Sequence, residues 1–305
     1  MVAAPGEILL TLGAQNALWI AAQVLLTQRR TAAMEMPGYP GLRDILGQTR
    51  CTLVEVEVDR HGLPPERLPE GLDVVFVTPG HHCPTNATMP EARRRTLLDR
   101  AAAEGFVVVE DDYEIASGAG GPPPPPPALK ALDRRGAVIH VGSFSKTLFP
   151  GLRLGYLVGP EPFIREARAL RAMVLRHPPG HIQRMVAYFL SRGHYDAHLN
   201  RLRRALAARG AVMAEAIRAH GLEPAGPAGP GAPSFWMRAP EGVDTARLAA
   251  RLAEREVLIE PGAVFFGGAA APRNYYRLGY SSIPAGHIPE GIARIAAAIA
   301  ETGPS

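Results

Sequence analysis

The sequence contains little cysteine and no long hydrophobic run. Its two cysteines, Cys51 and Cys83, are too few for a disulfide framework among 305 residues. No stretch approaches the roughly 18 apolar residues of a membrane-spanning helix, and residues 1–6 lack the basic flank of a signal peptide. These absences exclude a disulfide-stapled secreted domain and an integral membrane protein. We therefore expect a soluble protein of the reducing cytoplasm.

A strong charge of either sign is also lacking. The chain carries 33 basic and 29 acidic residues, a formal net charge of +4, and its arginines are scattered among acids. Such a balance gives little indication of nucleic-acid binding. Lysine is scarce as well, since only Lys130 and Lys146 occur. Any chemistry that needs an amine nucleophile therefore has two candidate residues.

Short apolar runs alternate with helical patterns through the first half of the chain. Runs such as Val74–Thr78, Phe106–Glu110 and Ala137–Val141 are typical of strands buried on both faces. They predict an α/β domain over residues 6–180, with a mostly parallel central sheet flanked by helices. Residues 118–127 include six consecutive prolines. This favours an extended surface insertion over a ligand for a proline-binding module.

The pattern changes at about residue 181 to long helices rich in arginine and alanine. Strand patterns then return at Ser234–Arg238, Val257–Glu260 and Tyr275–Gly279. Between and after these strands the spacing predicts the helices Thr245–Glu254 and Gly286–Ala300. Residues 181–305 are therefore expected to form connecting helices and a smaller C-terminal α+β domain.

Lys146 follows the predicted strand Ala137–Val141 within a segment of glycine and small hydroxyl residues. In open α/β sheets, loops at the carboxyl ends of the strands line the ligand crevice. A lysine at such a position, flanked by Ser143 and Ser145, suits a Schiff base with an aldehyde cofactor. The alternative interpretation is a solvated loop lysine.

Residues suited to a phosphate occur in two separate segments. Arg153 lies seven positions after Lys146 and has a forked guanidinium that matches an anion. Ala14 and Gln15 open a predicted helix directly after a strand, where free backbone N–H groups attract phosphate. Together with Ser143 and Ser145 they predict a phosphate clamp.

Residues 110–113 read Glu-Asp-Asp-Tyr at the end of the strand Phe106–Glu110. A carboxylate there can pair with a pyridinium nitrogen and keep the ring electron-withdrawing. Tyr113 can hydrogen-bond a phenolic oxygen of the same ring. The alternative is a metal or paired-acid site, which the opposite orientation of adjacent strand residues disfavours.

Several separated motifs occur in a fixed order along the chain: Gly13-Ala14-Gln15, Pro37-Gly38-Tyr39-Pro40, Glu110-Asp111-Asp112-Tyr113, Ser143-Phe144-Ser145-Lys146 with Arg153, and Arg277-Leu278-Gly279. Together they resemble the fold type I pyridoxal-phosphate enzymes, the aspartate aminotransferase superfamily. More closely, the chain resembles the aminotransferase-like domain of MocR-type regulators of the GntR superfamily. The resemblance covers about residues 6–300.

The resemblance implies a role for each matching residue. Lys146 would form the Schiff base with pyridoxal 5'-phosphate, Asp111 would hold the pyridinium nitrogen and Tyr113 the 3-hydroxyl oxygen. Tyr39 would stack on the ring, and Arg277 would receive the carboxylate of an amino acid or amine ligand. The phosphate would be held by Ala14, Gln15, Ser143, Ser145 and Arg153. The family also implies a homodimer. No metal is expected, because the consecutive residues His81-His82-Cys83 lack the spacing of a tetrahedral zinc site.

The sequence departs from the family pattern at two places, and both bear on whether the chain is an enzyme or part of a regulator. Cys83 stands where many aminotransferases of this fold have an asparagine, and MocR-type domains commonly lack that asparagine too. The chain also begins almost on its first strand, at Glu7, without room for a winged helix, so we expect this chain alone not to read DNA. It is either an aminotransferase-like enzyme, or the effector-sensing part of a MocR-type regulator that binds its ligand without turnover.

Overall fold

A computed structural model describes residues 1–113, 126–227, 232–268 and 270–302. Within them the chain forms two compact units. The first comprises residues 1–82, 88–113 and 126–199, and the second comprises residues 83–87 together with the described residues from 200 onward. The predicted insertion 118–127 lies outside the described residues, apart from its last two prolines.

The described part of the first unit contains seven strands in one sheet, of order β1-β7-β6-β5-β4-β2-β3. The strands are β1 (Ile8–Thr11), β2 (Thr31–Met36), β3 (Thr52–Glu57), β4 (Val74–Val77), β5 (Val107–Asp112), β6 (Val138–Ser143) and β7 (Gly155–Val158). Neighbouring strands from β3 to β6 are parallel, whereas β7 runs antiparallel to both β6 and β1. The sheet is therefore mostly parallel, as predicted.

Helices flank the sheet because its strands are apolar on both faces. The first unit contains α1 (Ala14–Leu25), α2 (Pro40–Thr49), α3 (Glu91–Glu104), α4 (Leu129–Leu132), α5 (Glu161–Leu175) and α6 (Gly180–Ser191). Side chains alternate between two apolar cores, with Phe76 and Val109 packing beside α1, and Val75 and Val108 packing with α3. This alternation is what strand geometry requires of a sheet covered on both sides.

The second unit is smaller and has an antiparallel sheet. The remaining elements are α7 (His194–Ala219), β8 (Glu223–Pro224), β9 (Ser234–Arg238), α8 (Thr245–Ala253), β10 (Glu260–Pro261), β11 (Tyr275–Gly279) and α9 (Ile288–Ala300). Helix α7 begins in the first unit, and from Asn200 onward it belongs to the second. The strand order is β10-β11-β9-β8, and the apolar faces of α7, α8 and α9 share a core with β9 and β11. The predicted fold class is confirmed.

Two details of the sequence interpretation need correction. The predicted strand Val257–Glu260 is wrong for residues 257–259, since pairing begins only at Glu260. Val257 and Ile259 are partly buried and pack against the core of the second unit without strand pairing. Helix α5 was not predicted, although Ile164 and Ala167 bury one face of it. No described helix is long and apolar enough to cross a membrane.

Candidate cofactor site

The predicted site residues of the first unit lie at one edge of its sheet. Strands β2, β4, β5 and β6 are parallel, and β1 runs in the same direction because two antiparallel pairings separate it from β6. Their carboxyl ends therefore share an edge, where ligands bind in open α/β sheets. The segments that follow carry Ala14 and Gln15 after β1, Tyr39 after β2, Tyr113 after β5 and Lys146 after β6.

Arg153 lies against the beginning of helix α1. Its Nη2 donates to the Leu12 carbonyl at 3.1 Å, and a Cβ added to Gly13 would lie 3.2 Å from the same nitrogen. Gly13 has φ +85°, a left-handed conformation that glycine adopts without strain. No side chain among the described residues caps α1. The positive end of the helix and the guanidinium therefore act on the same small region.

A close backbone approach holds this region together. A Cβ added to Gly155 would lie 2.7 Å from the Gly13 carbonyl carbon and 2.8 Å from the Gly142 carbonyl oxygen. Gly155 begins β7, between Thr11 of β1 and Ser143 of β6 in the strand register. Any larger residue at position 155 would force the backbone of Gly13 or Gly142 to shift, because real Cβ atoms do not approach so closely.

The ring of Tyr39 lies beside Gln15. The Tyr39 hydroxyl donates to Gln15 Oε1, and the Tyr39 side chain is exposed at the start of α2. A Cβ added to Gly41 would lie 2.8 Å from the Tyr39 ring, so the glycine leaves space for that ring. The segments that follow β1 and β2 are thus linked by a side-chain hydrogen bond at the edge of the sheet.

Lys146 lies in a turn directly after β6. Its side chain is exposed, whereas Ser145 and Thr147 on either side are buried. The Ser145 amide donates to Ser143 Oγ at 3.2 Å. Ser145 Oγ is buried and has no hydrogen-bond partner among the described residues. A buried hydroxyl without a partner costs free energy unless a ligand or water satisfies it.

Asp111 and Tyr113 occupy the end of β5. Asp111 is 8% exposed and pairs in register with Val141 of β6. The Tyr113 hydroxyl donates to the His81 carbonyl at 3.3 Å. The preceding residue, Glu110, belongs to a separate buried network, in which its carboxylate accepts from the Leu129 and Lys130 amides. The acidic residues at 110 and 111 therefore have different surroundings.

Glu110 also forms a buried ion pair with His140, Nδ1 to Oε2 at 3.0 Å. Burial would raise the pKa of Glu110, but hydrogen bonds from His140 and from the two amides outweigh it and lower that pKa. Burial would lower the pKa of His140, but the Glu110 carboxylate outweighs burial and raises that pKa. Burial raises the pKa of Asp112 to about 6. A charged pair therefore lies within the sheet next to Asp111.

Sequence reasoning missed a second buried pair near Asp111. Glu35 of β2 accepts from the Thr78 amide at 2.9 Å, and His82 Nε2 lies 3.6 Å from the same carboxyl oxygen. Burial raises the pKa of Glu35 to about 8, and the charge of Asp111 adds to this rise. Burial also lowers the pKa of His82 to about 3. Both side chains are therefore neutral at neutral pH. An acidic residue inside an otherwise apolar strand was the available signal.

Arg277 lies in the second unit and is engaged there. Its Nη1 donates to Glu260 Oε2 at 3.0 Å and its Nε donates to Ser234 Oγ at 3.1 Å. Arg277 and Glu260 face each other in the β10–β11 register. A carboxylate ligand at Arg277 would compete with the Glu260 carboxylate.

The fold is that of the fold type I aminotransferases. The model of the family "Aminotransferase class I and II" matches residues 2–295, and the chain belongs to this family. Among solved structures, LysN, the alpha-aminoadipate aminotransferase of Thermus thermophilus, superposes with a TM-score of 0.89 at 27% identity. That match covers 98% of this chain and 78% of LysN.

Two regulators are similar in sequence. The HTH-type transcriptional regulator TauR of Rhodobacter capsulatus is 56% identical, over 98% of this chain and 61% of TauR. The probable rhizopine catabolism regulatory protein MocR of Rhizobium meliloti is 34% identical, over 71% of this chain and 44% of MocR. The resemblance to MocR-type regulators is thereby confirmed. The chain spans about three fifths of the length of the first of these relatives.

Proposed function

We propose that this chain binds pyridoxal 5'-phosphate covalently through Lys146 and uses it to bind an amino acid or amine. The observation that carries the proposal is the meeting, at one sheet edge, of the uncapped α1 with Arg153, the turn of Lys146 and the buried end of β5. The relative LysN supports it, because that protein was solved in complex with N-(5'-phosphopyridoxyl)-L-leucine.

The residues at this edge fit the phosphate of such a cofactor. Ser145 Oγ is buried without a partner among the described residues, and a phosphate oxygen would satisfy it. The amides of Ala14 and Gln15 begin a helix that no described side chain caps, and Arg153 adds a full positive charge. Ser143 supplies a further hydroxyl from the end of β6.

The same edge offers groups for the ring. A carboxylate at Asp111 would bind a protonated pyridine nitrogen, because the opposite charges stabilise each other at a buried position. Tyr113 would donate to the 3-hydroxyl oxygen in place of the His81 carbonyl, and Tyr39 would stack on the ring face. When bound, the pyridine ring supplies an electron sink for the bond-breaking at the ligand's α-carbon. Lys146 would hold the cofactor. Once its amine is free, its Nζ would take up the proton that leaves the ligand's α-carbon.

The site suits two functions, and one observation favours sensing. Identity to the transcriptional regulator TauR is 56%, whereas identity to the aminotransferase LysN is 27%, over nearly the whole chain in both cases. We therefore propose an effector-sensing role within a MocR-type regulator as the better-supported function. Transamination of an amino acid or amine is the second candidate, supported by the family.

Arg277 is proposed to bind the carboxylate of that ligand. Its planar guanidinium can make two parallel hydrogen bonds to a carboxylate. In the second unit it already binds a carboxylate, that of Glu260, at 3.0 Å. The ligand carboxylate would replace this contact.

A homodimer is proposed as the assembly. Helices α5 and α6 expose large apolar side chains to solvent, including Met173, Val174, Met185 and Tyr188. Large apolar side chains exposed on two successive helices favour a protein–protein contact surface there. The family model, which matches almost the whole chain, supports the same assembly.

The scarcity of lysine makes the test direct. The chain is loaded with pyridoxal phosphate, reduced with borohydride and digested, and the modified peptide is identified by mass spectrometry. We expect the label on Lys146 and its loss in Lys146→Ala. Lys130→Ala is the matched control, because Lys130 is paired with Asp133 at 3.3 Å and lies in α4. A label on Lys130, or no label at all, would refute the proposed cofactor site.

The absorption spectrum then separates the two functions. The loaded chain is titrated with a panel of amino acids and amines while release of the carbonyl product is measured, a 2-oxo acid from an amino acid and an aldehyde or ketone from an amine. A spectral change without any carbonyl product supports sensing. Stoichiometric carbonyl product, with conversion of the cofactor to pyridoxamine phosphate, would instead establish an aminotransferase.

A further inference from the structure

The first turns of helix α7 contact the turn that carries Lys146. The hydroxyl of Tyr195 donates to Thr147 Oγ1 at 3.1 Å. His198 Nε2 lies 2.8 Å from the Thr147 carbonyl oxygen. Because a carbonyl oxygen only accepts, Nε2 of His198 carries the hydrogen in this contact. Thr147 is the residue after Lys146 and is buried.

Tyr195 also contacts the turn on the other side of the lysine. Its ring meets the ring of Phe144 edge to face, with centroids 5.7 Å apart. Such a geometry is attractive beyond simple burial. Phe144 and Leu148 pack in turn against a small apolar cluster that includes Leu152 and Val186. The turn is thus contacted both before and after Lys146.

The hydroxyl of Thr147 connects these contacts to the backbone of the turn. It accepts from Tyr195 and donates to the Phe144 carbonyl at 3.2 Å, so the two hydrogen bonds polarise each other. The Leu148 amide donates to the same carbonyl at 2.9 Å. Helix α7 therefore holds the turn through the hydroxyl and the carbonyl of Thr147, and the Thr147 hydroxyl passes this support on to the Phe144 carbonyl before Lys146.

We propose that Tyr195 and His198 are positioning residues for Lys146, an inference that rests on the cofactor role proposed above for that lysine. They touch Thr147 and Phe144 and act through them, by fixing the Cα of Lys146 relative to the sheet edge. A lysine side chain is long and flexible, so the position of its Cα determines how often its amine reaches a bound aldehyde. Small displacements of reacting groups cost about 100-fold in rate in enzymes.

The first measurement is hydrogen exchange of the turn in the full chain without added cofactor. Tyr195→Phe removes the hydroxyl and keeps the ring on Phe144, whereas His198→Ala removes the donor to the Thr147 carbonyl. Each loss should speed exchange of the amides in residues 145–149 roughly threefold to tenfold, since one net hydrogen bond is lost. His198→Gln keeps a donor and should recover most of the protection.

Matched controls keep the interpretation specific. Tyr188→Phe alters an exposed tyrosine of α6, and Arg201→Gln alters an exposed residue of α7, the helix that carries His198. Neither should change exchange at residues 145–149. Unchanged exchange in Tyr195→Phe and His198→Ala would overturn the inference whatever the cofactor does.

The second measurement is the rate at which the free cofactor becomes attached to Lys146, followed by stopped-flow absorption and checked by borohydride trapping. We expect about tenfold slower attachment in His198→Ala and recovery in His198→Gln. Faster exchange with an unchanged attachment rate would reduce both residues to structural supports and refute the positioning role. A wild-type chain that never attaches the cofactor would refute the proposed function and this role with it, while exchange would still show whether α7 anchors the turn.

Discussion

Glu35 offers a sharp test of how the buried polar groups behind the site are charged. The change is Glu35→Gln, which keeps a side-chain oxygen that can accept from the Thr78 amide. In the wild type this amide lies 2.9 Å from Glu35 Oε2. Burial raises the pKa of Glu35 from 4.5 to about 8, so the folded chain holds a proton that the unfolded chain releases. Glu35 therefore costs no stability below pH 4.5. Its cost grows as the pH rises through the interval up to about 8, and levels off above it.

The size of this cost follows from the gap between the two pKa values. At about 1.4 kcal/mol per pH unit, the gap from 4.5 to about 8 amounts to about 4 to 5 kcal/mol at high pH. Between pH 5 and pH 8 the difference in unfolding free energy between Glu35→Gln and wild type should grow by about 3 to 4 kcal/mol. The variant becomes the more stable protein as the pH rises.

Urea unfolding followed by tryptophan fluorescence measures this difference. Trp19 lies in the first unit with Glu35, so both chains carry Trp236→Phe, which leaves the signal of Trp19 alone. Subtracting wild type from variant at each pH cancels the titration of groups that do not contact Glu35. Glu57→Gln, an exposed position on β3, is the control and should stay within about 0.5 kcal/mol at every pH. A difference that stays constant from pH 5 to pH 8 would refute a neutral Glu35.

Three further predictions address the two units and the assembly. Glu260→Gln should tighten binding of a carboxylate ligand at least about threefold, because the Glu260 carboxylate no longer competes with the ligand for Arg277. Calorimetric titration of the loaded chain measures this, and weaker binding would contradict it. Gly155→Ala should lower the unfolding free energy of the first unit by about 2 kcal/mol and impair cofactor retention, since its Cβ would lie 2.7 Å from Gly13. Gly47→Ala, where a Cβ meets open space, is the control and should be neutral or stabilising. Met173→Glu should weaken the proposed homodimer about tenfold or more in analytical ultracentrifugation without lowering thermal stability of the monomer, because this side chain is 79% exposed; an unchanged dimer would refute the proposed contact surface on α5.

The mostly parallel sheet could be predicted because its strands are short, apolar and separated by helical patterns. Val74–Val77 is buried along its whole length, and such a run has few alternatives in an α/β pattern. The predicted strand at residues 257–259 was wrong because its apolar run fits more than one structure. An apolar run also packs against a core without pairing, and periodicity alone does not distinguish the two.

Part of the candidate site could likewise be predicted from the sequence, and part could not. Motifs that end parallel strands were expected at one edge, because strand direction and order imply it. The contacts behind that edge have no local signal. His198 reaches Thr147 across 51 positions of the sequence, and Thr78 reaches Glu35 across 43. Which side chains meet over such separations depends on how helices pack on the sheet, which sequence spacing within one element does not encode.

The position of β7 in the sheet has a consequence for how the protein is made. β1 is synthesised first, yet its strand neighbour is β7, which follows about 150 residues later and also separates β1 from β6. At translation rates of about 5–20 residues per second, β1 waits roughly 7 to 30 s for this partner. Arg153 and the start of α1 meet only after that step. The contact between Arg153 and the start of α1 is thus among the last parts of the first unit to form on the ribosome, and a nascent chain that ends before β7 leaves β1 without this strand partner.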